Sequence, residues 1–287
     1  MVEHQNADDG GSIVLAATPI GNLGDASPRL QELLASADVI AAEDTRRLHK
    51  LLHALNISTS ARVLSYHEHN EAARTTGLLE EVRAGKTLLM VTDAGMPAVS
   101  DPGFRLVEAA VAQSLTVTAV PGPSAVTTAL ALSGLPTDRF CFEGFLPRKS
   151  GERATRLKEL AHERRTMVFF EAPHRLEAML AALQARFGPD RKAAVARELT
   201  KLHEQVVRAS VAELLDWAGS GQVRGEIAVV VAGADDAPPA RAVDHVEAVN
   251  ELISGGARMK DAVGTVAEEA VVSKRELYGA VLAARQD

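Results

Sequence analysis

The sequence predicts an α/β protein of two domains, with a mainly parallel sheet in the first, a mixed sheet in the second and a small helical appendage at the C-terminus. Three observations predict it. From residue 13 to about 135, short apolar runs alternate with stretches of helical apolar spacing. Several of those runs end directly in turns rich in Gly, Pro or Asp. Beyond residue 136, two apolar runs are separated by only a short turn at 199–203.

The runs 13–17, 39–42, 63–66, 88–92 and 117–120 read as strands, and 28–36, 45–55, 71–84 and 104–113 as helices between them. Strand then helix, repeated, makes a mainly parallel sheet covered on both faces. The loops at its carboxyl edge are where open α/β sheets bind ligands. This pattern defines a first domain at 12–135. After Ser133-Gly-Leu-Pro136 the texture changes, with strands expected at 139–146, 166–171, 193–198, 204–210 and 226–232 and helices at 151–164, 175–187 and 211–217. The strands flanking 199–203 are too close in sequence for a crossover, so they pair antiparallel and the sheet of the second domain, 136–233, is mixed. A linker without core residues follows, Gly233-Ala-Asp-Asp-Ala-Pro-Pro-Ala240. Helical segments at 243–254, 258–270 and 274–285 then form a helix-turn-helix-like module over 243–287, with Ser273 as the N-cap of the last helix.

Composition narrows the class. The 287 residues are 46% hydrophobic and 24% charged, ordinary values for a globular protein. No uninterrupted apolar run approaches the roughly 18 residues of a membrane span. The polar, acidic residues 1–11 do not fit the basic-then-apolar opening of a secretory signal. Cys141 is the only cysteine, which excludes an internal disulfide and a multi-cysteine metal site and makes the cytosol the expected compartment. The net charge of −7 points away from a polyanionic partner. The basic residues are nevertheless clustered, at Arg46, Arg47, His49 and Lys50, and again at Arg148, Lys149, Arg153, Arg156 and Lys158 with Arg164 and Arg165 beyond. Each cluster taken alone is equally a solvated helix face.

Three loops carry the chemistry. The first strand ends in Ala17-Thr-Pro-Ile-Gly-Asn-Leu-Gly24, and Glu43 falls where a ribose-binding acid of a dinucleotide fold would sit. The dinucleotide pattern fails in detail, because only Gly21 and Gly24 are present and Pro19 stiffens the turn. The fourth strand runs into Val91-Thr-Asp-Ala-Gly-Met-Pro-Ala-Val-Ser-Asp-Pro-Gly103, a rigid stretch with two carboxylates, two glycines and two prolines. Asp93, at the carboxyl end of a buried strand, either caps a backbone turn or meets a ligand. The fifth strand ends in Val120-Pro-Gly-Pro-Ser-Ala125, a tight corner after which Ser124 is the expected N-cap of a helix.

With Phe142-Glu-Gly-Phe-Leu-Pro147, Phe169-Phe-Glu-Ala-Pro-His-Arg175, Arg197-Glu-Leu-Thr-Lys-Leu-His-Glu204 and Arg224-Gly-Glu226, these loops make seven motifs in order between residues 13 and 233. The set resembles the tetrapyrrole methylase superfamily, and within it the branch of 16S ribosomal RNA (cytidine-2′-O)-methyltransferases. The resemblance implies a tetrapyrrole-methylase-like fold, a kidney-shaped pair of α/β domains with S-adenosylmethionine in the cleft between them, no metal, a homodimer, and 16S rRNA or the small ribosomal subunit as partner. Ala172 stands where serine is common and Met96 where threonine is common, and either departure alters a cofactor contact at most.

Carried over residue by residue, the resemblance implies cofactor contacts at Pro19, Asp93, Met96, Ser124, Ala125, Phe170, Leu199 and Ala228. A ribose hydroxyl is a very weak acid, so a base or a cation near the developing alkoxide helps its attack. Glu43, Asp44 and His67 are the candidate bases, and Arg46, Arg175 and Lys201 the candidates to guide phosphates or balance charge. His67 and His69 form a pair of metal-ligating type, but no third or fourth ligand has fitting spacing. For the terminal helices, an RNA-docking appendage and a helical cap on the second domain both fit. Two rival functions stand beside the RNA methyltransferase. One is a methyltransferase of the same fold acting on a tetrapyrrole or another small molecule. The other is a nucleic-acid-binding regulator with a degenerate core, which has no use for an intact set of cofactor loops.

Overall fold

The computed structural model describes residues 10–234, 242–270 and 272–284. Of the expected linker, 235–240 lies outside the described residues, as do 1–9 and the end of the last predicted helix at Arg285. Five strands form the first sheet: β1 (Ser12–Ala16), β2 (Val39–Ala42), β3 (Arg62–Ser65), β4 (Thr87–Val91) and β5 (Thr116–Val120). Their order is β3-β2-β4-β1-β5 and every pairing is parallel. Each crossover carries a helix: α1 (Pro28–Ser36), α2 (Thr45–Ala54), α3 (Glu71–Arg83) and α4 (Phe104–Val111).

Side chains alternate across this sheet, as a period of two requires. Val14, Ala16, Ile40, Ala42, Leu89 and Val91 pack under Leu30, Leu34, Leu48 and Leu52 of α1 and α2. Ile13, Val39, Ala41, Leu88 and Met90 face the other way, onto Leu78, Leu79, Val82 and Leu106 of α3 and α4. Both faces are buried, which explains why the central strands read as unbroken apolar runs.

Helix α5 (Ala125–Ser133) leaves this sheet and packs on the second one. That sheet contains β6 (Phe140–Phe145), β7 (Thr166–Glu171), β8 (Lys192–Arg197), β9 (Gln205–Ser210) and β10 (Ile227–Val231), in the order β6-β7-β10-β8-β9. Only β6 and β7 are parallel, so the sheet is mixed. Met167, Phe169, Val195, Val229 and Val231 face a core built with α6 (Ser150–Glu159), α7 (Leu176–Phe187) and α8 (Val211–Gly219). Val168, Ala194, Ala196, Ala228 and Val230 face the opposite way, onto Val126, Ala129 and Leu130 of α5. The helix expected over 151–164 ends at Glu159 and tightens into a 3-10 turn at Leu160–His162.

The chain divides into two compact units. Both sheets lie in the first, which comprises the residues up to Ala161 together with Arg165–Ala232. The second contains His162–Arg164 and the C-terminal residues from Gly233, with α9 (Val246–Ser254), α10 (Met259–Glu269) and α11 (Lys274–Ala283) around Val249, Val263, Val266, Leu277 and Val281. Ser273 caps α11 by accepting a hydrogen bond from the Glu276 N–H.

Candidate functional site

The strand alternation that buries α5 also builds a cavity. Phe170, Ala196 and Ala228 lie on the α5 face of the second sheet, and beside the first turn of α5 they line a cleft of about 420 Å³ together with Ile20, Ala125, Val126 and Leu199. Alanine at 125, 196 and 228 leaves space that larger side chains would fill. A bulge in β6 adds an aromatic wall. Phe142 and Phe145 are three residues apart and would point to opposite faces of a regular strand. The register shifts between Phe142 and Gly144, with Gly144 at φ 64°. Both rings then meet Phe170, with centroids 4.9 and 5.8 Å away.

Opposite this apolar wall stand three acids, Glu43, Asp93 and Asp101. Parallel pairing of β2 with β4 brings Glu43 beside Asp93, whose backbone N–H donates to Glu43 Oε2 at 3.2 Å. In return the Asp44 N–H donates to Asp93 Oδ1 at 3.2 Å, and Arg47 Nε lies 3.3 Å from Asp93 Oδ2. Burial raises the Glu43 carboxyl, partly offset by that backbone hydrogen bond. Burial also raises Asp93, with the Arg47 charge pulling the other way. Asp101 is pushed up to about 7, by burial first and then by the charges of Glu43 and Asp93, against a hydrogen bond from Thr92.

The loops around the cleft interlock. Thr18 and Gly95 exchange backbone hydrogen bonds at 3.0 and 3.1 Å, tying the first loop to the aspartate loop. The Asn22 N–H donates to Thr200 Oγ1 at 3.0 Å. A Cβ on Gly21 would collide with Lys201 Cγ and Thr200 Oγ1, and one on Gly225 with the Glu198 side chain. Ala98, Ser100, Glu198 and Thr200 hold positive φ, at 67°, 65°, 51° and 65°. These four non-glycine residues sit in two loops at the cleft, a conformation that persists only where the surroundings impose it.

Of the residues expected at the cofactor, Asp93, Met96, Ser124, Ala125, Phe170, Leu199 and Ala228 line this cavity. Pro19 does not; its neighbour Ile20 does. Ser124 stands at the N-cap position of α5, but its side chain makes no capping bond. Among the candidate bases Glu43 is in the wall, whereas Asp44 caps α2 and is gripped by Arg46 at 2.7 Å, which holds its carboxyl far below the usual range. His67 lies on a second cavity that shares Glu43. His67 and His69 stand edge to face with ring centroids 6.0 Å apart, and no group of three or more ligating side chains occurs among the described residues.

The three candidate phosphate guides are placed very differently. The Arg46 side chain is 87% exposed. Lys201 bridges Glu198 at 2.8 Å and Glu226 at 2.9 Å. Arg175 turns inward, 3.2 Å from the fully buried Glu171 carboxylate and donating to the Leu146 carbonyl at 2.7 Å. In the second basic cluster Lys149 pairs with Glu152, and Arg156 with Glu143 and Glu159. Sequence reasoning missed Arg47, Asp101, Phe145 and Gly225. Asp101, Phe145 and Gly225 lay inside motifs already singled out, and Arg47 stood in the first basic cluster, one residue beyond Arg46.

A family model described as tetrapyrrole (corrin/porphyrin) methylases matches residues 12–215. A protein of Mycobacterium tuberculosis strain H37Rv named ribosomal RNA small subunit methyltransferase I is 53% identical over 96% of each chain. A Synechocystis protein of the same name is 43% identical, over 93% of this chain and 96% of its own. Among solved structures, a uroporphyrin-III C-methyl transferase from Thermus thermophilus in complex with S-adenosyl homocysteine superimposes with a TM-score of 0.53 at 20% identity, covering 78% of this chain and 97% of that one.

Proposed function

The chain belongs to the tetrapyrrole (corrin/porphyrin) methylase family, and we propose that it transfers a methyl group from S-adenosylmethionine to the ribose 2′-hydroxyl of a cytidine in 16S rRNA of the small ribosomal subunit. The observation that carries the RNA target is the 53% identity, over 96% of both chains, to a relative named for ribosomal RNA. The 20%-identical uroporphyrin enzyme shares the fold and does not argue for a tetrapyrrole substrate.

The cleft fits the methyl donor by its chemistry. Phe170, Leu199, Ala228 and Ile20 offer an apolar slot for an adenine ring, while Glu43, Asp93 and Asp101 suit a ligand of net positive charge. Glu171, also in the wall, keeps a buried Oε2 without a partner, an acceptor for a ligand's donor group. When bound, S-adenosylmethionine supplies an electrophilic methyl group on a sulfonium. The chain's own contribution is placement: interlocked loops and a fixed aspartate loop hold the reacting groups in line, and such alignment is worth effective molarities of roughly 10⁵ M or more. Cofactor binding then falls to Asp93, Met96, Ser124, Ala125, Phe170, Leu199 and Ala228, with Glu43 in the cleft wall holding the Asp93 backbone and the exposed Arg46 meeting the RNA backbone.

We further take 12–135 and 136–233 as the two α/β domains flanking the cleft and 243–287 as a separate helical module. The enzyme acts as a homodimer in the cytoplasm, where its ribosomal substrate is; no helix of the described residues is long and apolar enough to cross a membrane. The test is to incubate the protein with labelled S-adenosylmethionine and small subunits from cells lacking it. Label is expected in 16S rRNA, at one nucleotide resistant to alkaline cleavage. Label in a porphyrinoid, with none in RNA, would overturn the proposal.

A further inference from the structure

A second cavity, of about 490 Å³, adjoins the cofactor cleft and shares Glu43, Ser100 and Asp101 with it. Its other walls are His67, Glu71, Gly103, Phe104 and Arg105 among others, drawn from the loops after β3 and β4 and the first turn of α4. This lining is unlike that of the first cavity. Phe104 exposes 65% of its surface, a large apolar ring left open at the mouth of a polar chamber. Arg105 stands beside it, 62% exposed and held by Glu71 at 2.8 Å. A ring face next to a guanidinium is the arrangement that receives an unstacked base and its phosphate.

Asp101 forms part of the partition between the two chambers. The loop carrying it is closed on itself, because the Ala98 N–H donates to the Pro102 carbonyl at 3.1 Å and Gly103, at φ 132°, leaves its Cβ position only 3.3 Å from the Ala98 nitrogen. The neighbouring acids are otherwise engaged: Glu43 accepts the Asp93 N–H, and Asp93 accepts the Asp44 N–H and pairs with Arg47. Asp101 has no cationic partner among the described residues and accepts from the Thr92 hydroxyl. His67 is committed too. Asn70 Oδ1 accepts the His67 backbone N–H at 2.9 Å, so the Asn70 amide nitrogen faces His67 Nε2 at 3.2 Å and makes that ring nitrogen the acceptor. His67 Nδ1 is buried without a partner, and Nε2 is engaged by Asn70.

We propose that the second cavity receives the target nucleoside of the RNA, with Phe104 stacking on its base and Asp101 as the catalytic residue that takes the proton of the ribose 2′-hydroxyl. This rests on the methyltransferase function proposed above. The hydroxyl oxygen forms the new bond to the methyl carbon, the carbon–sulfur bond breaks with its electron pair going to sulfur, and the proton passes to the Asp101 carboxylate. The charged and titratable groups that line the two chambers with Asp101 are Glu43, Asp93, Arg47, Glu171 and Glu226 on the first side and His67, Glu68, His69, Glu71 and Arg105 on the other.

Three variants of the full chain test this with small subunits lacking the modification: Asp101→Asn, Asp101→Glu and Phe104→Ala. For Asp101→Asn, kcat is expected to fall by about 10²-fold or more, with a much smaller loss of S-adenosylmethionine affinity and the wild-type rise of kcat with pH abolished. Calorimetry of S-adenosylmethionine binding in buffers of different ionisation enthalpy gives a readout independent of turnover. Near pH 7 the wild type releases a proton on binding the positively charged cofactor, and Asp101→Asn does not. Phe104→Ala raises KM for the subunit about tenfold with kcat little changed. Should the Asn variant not fold, Asp101→Glu retains partial turnover with a shifted pH profile. Wild-type kcat and an unchanged pH profile in a folded Asp101→Asn variant, or an unchanged KM in Phe104→Ala, overturns this assignment alone. Absence of RNA labelling by the wild type overturns the methyltransferase reading, and this assignment with it.

Discussion

The two cavities differ in what builds them. The cofactor cleft grows out of a core: Phe170, Ala196 and Ala228 continue the strand alternation that buries Val168, Ala194 and Val230 under α5. Its neighbour has no such floor and is walled by loops and the first residues of α3 and α4, two of them acidic beyond the shared Glu43 and Asp101: Glu68 and Glu71. Apolar geometry specifies the first chamber and charge pairing the second. Substitutions therefore act differently on the two, through packing and burial on one side and through ionisation and RNA affinity on the other.

Arg175→Ala strikes the cofactor side hardest. It strands the fully buried Glu171 carboxylate in the cleft wall without its cation. Breaking such a pair costs about 3 kcal/mol, so Tm measured by calorimetry should drop by about 6–12 °C. Gly225→Ala comes next. At φ 93° an L side chain is strained, and its Cβ would fall on the Glu198 side chain. A loss of about 2 kcal/mol is expected, with weaker S-adenosylmethionine binding in a titration and RNA affinity little changed.

The partition acid responds to pH. Because the folded-state Asp101 carboxyl is pushed up to about 7, the folded protein holds that proton more tightly than the unfolded chain does. The stability it contributes is complete below the ordinary carboxylate range and is lost as pH rises to about 7. Asp101→Asn escapes this loss. Its Tm at pH 8 should exceed the wild-type value by about 2–4 °C, the response to about 1 kcal/mol, and the gap should shrink as pH falls towards 4. Equal gaps at pH 5 and pH 8 would show that Asp101 is not perturbed. Arg46→Ala has the smallest effect. With its side chain 87% exposed and paired to Asp44 only two residues before it, Tm should not move measurably. Binding of the ribosomal subunit should weaken about two- to fivefold, with a shallower dependence on salt.

Much of the cofactor side was legible in the sequence, because alternation and loop chemistry are local. Apolar runs marked the strands of both sheets, and Asp93, singled out at a strand's end, lines the cavity. The interior of the second chamber was not legible. Which of Glu43, Asp93 and Asp101 has a counter-ion depends on Arg47 reaching over from α2 to Asp93, a contact across 46 residues that periodicity cannot show. Nor could periodicity choose between guiding a phosphate and balancing a charge for Arg175, which pairs with the buried Glu171 four residues earlier. The aromatic wall depended on a one-residue bulge at Gly144, which reverses the side that Phe145 would otherwise occupy.

The most direct measurement is a structure of the protein with S-adenosyl homocysteine and an RNA carrying the target cytidine. The cofactor product should lie against Phe170, Leu199 and Ala228, with the cytidine base on Phe104 and its 2′-oxygen within hydrogen-bond reach of Asp101. A ribose approaching from any other side, with the chamber beneath Phe104 empty, would contradict the division of labour between the two cavities.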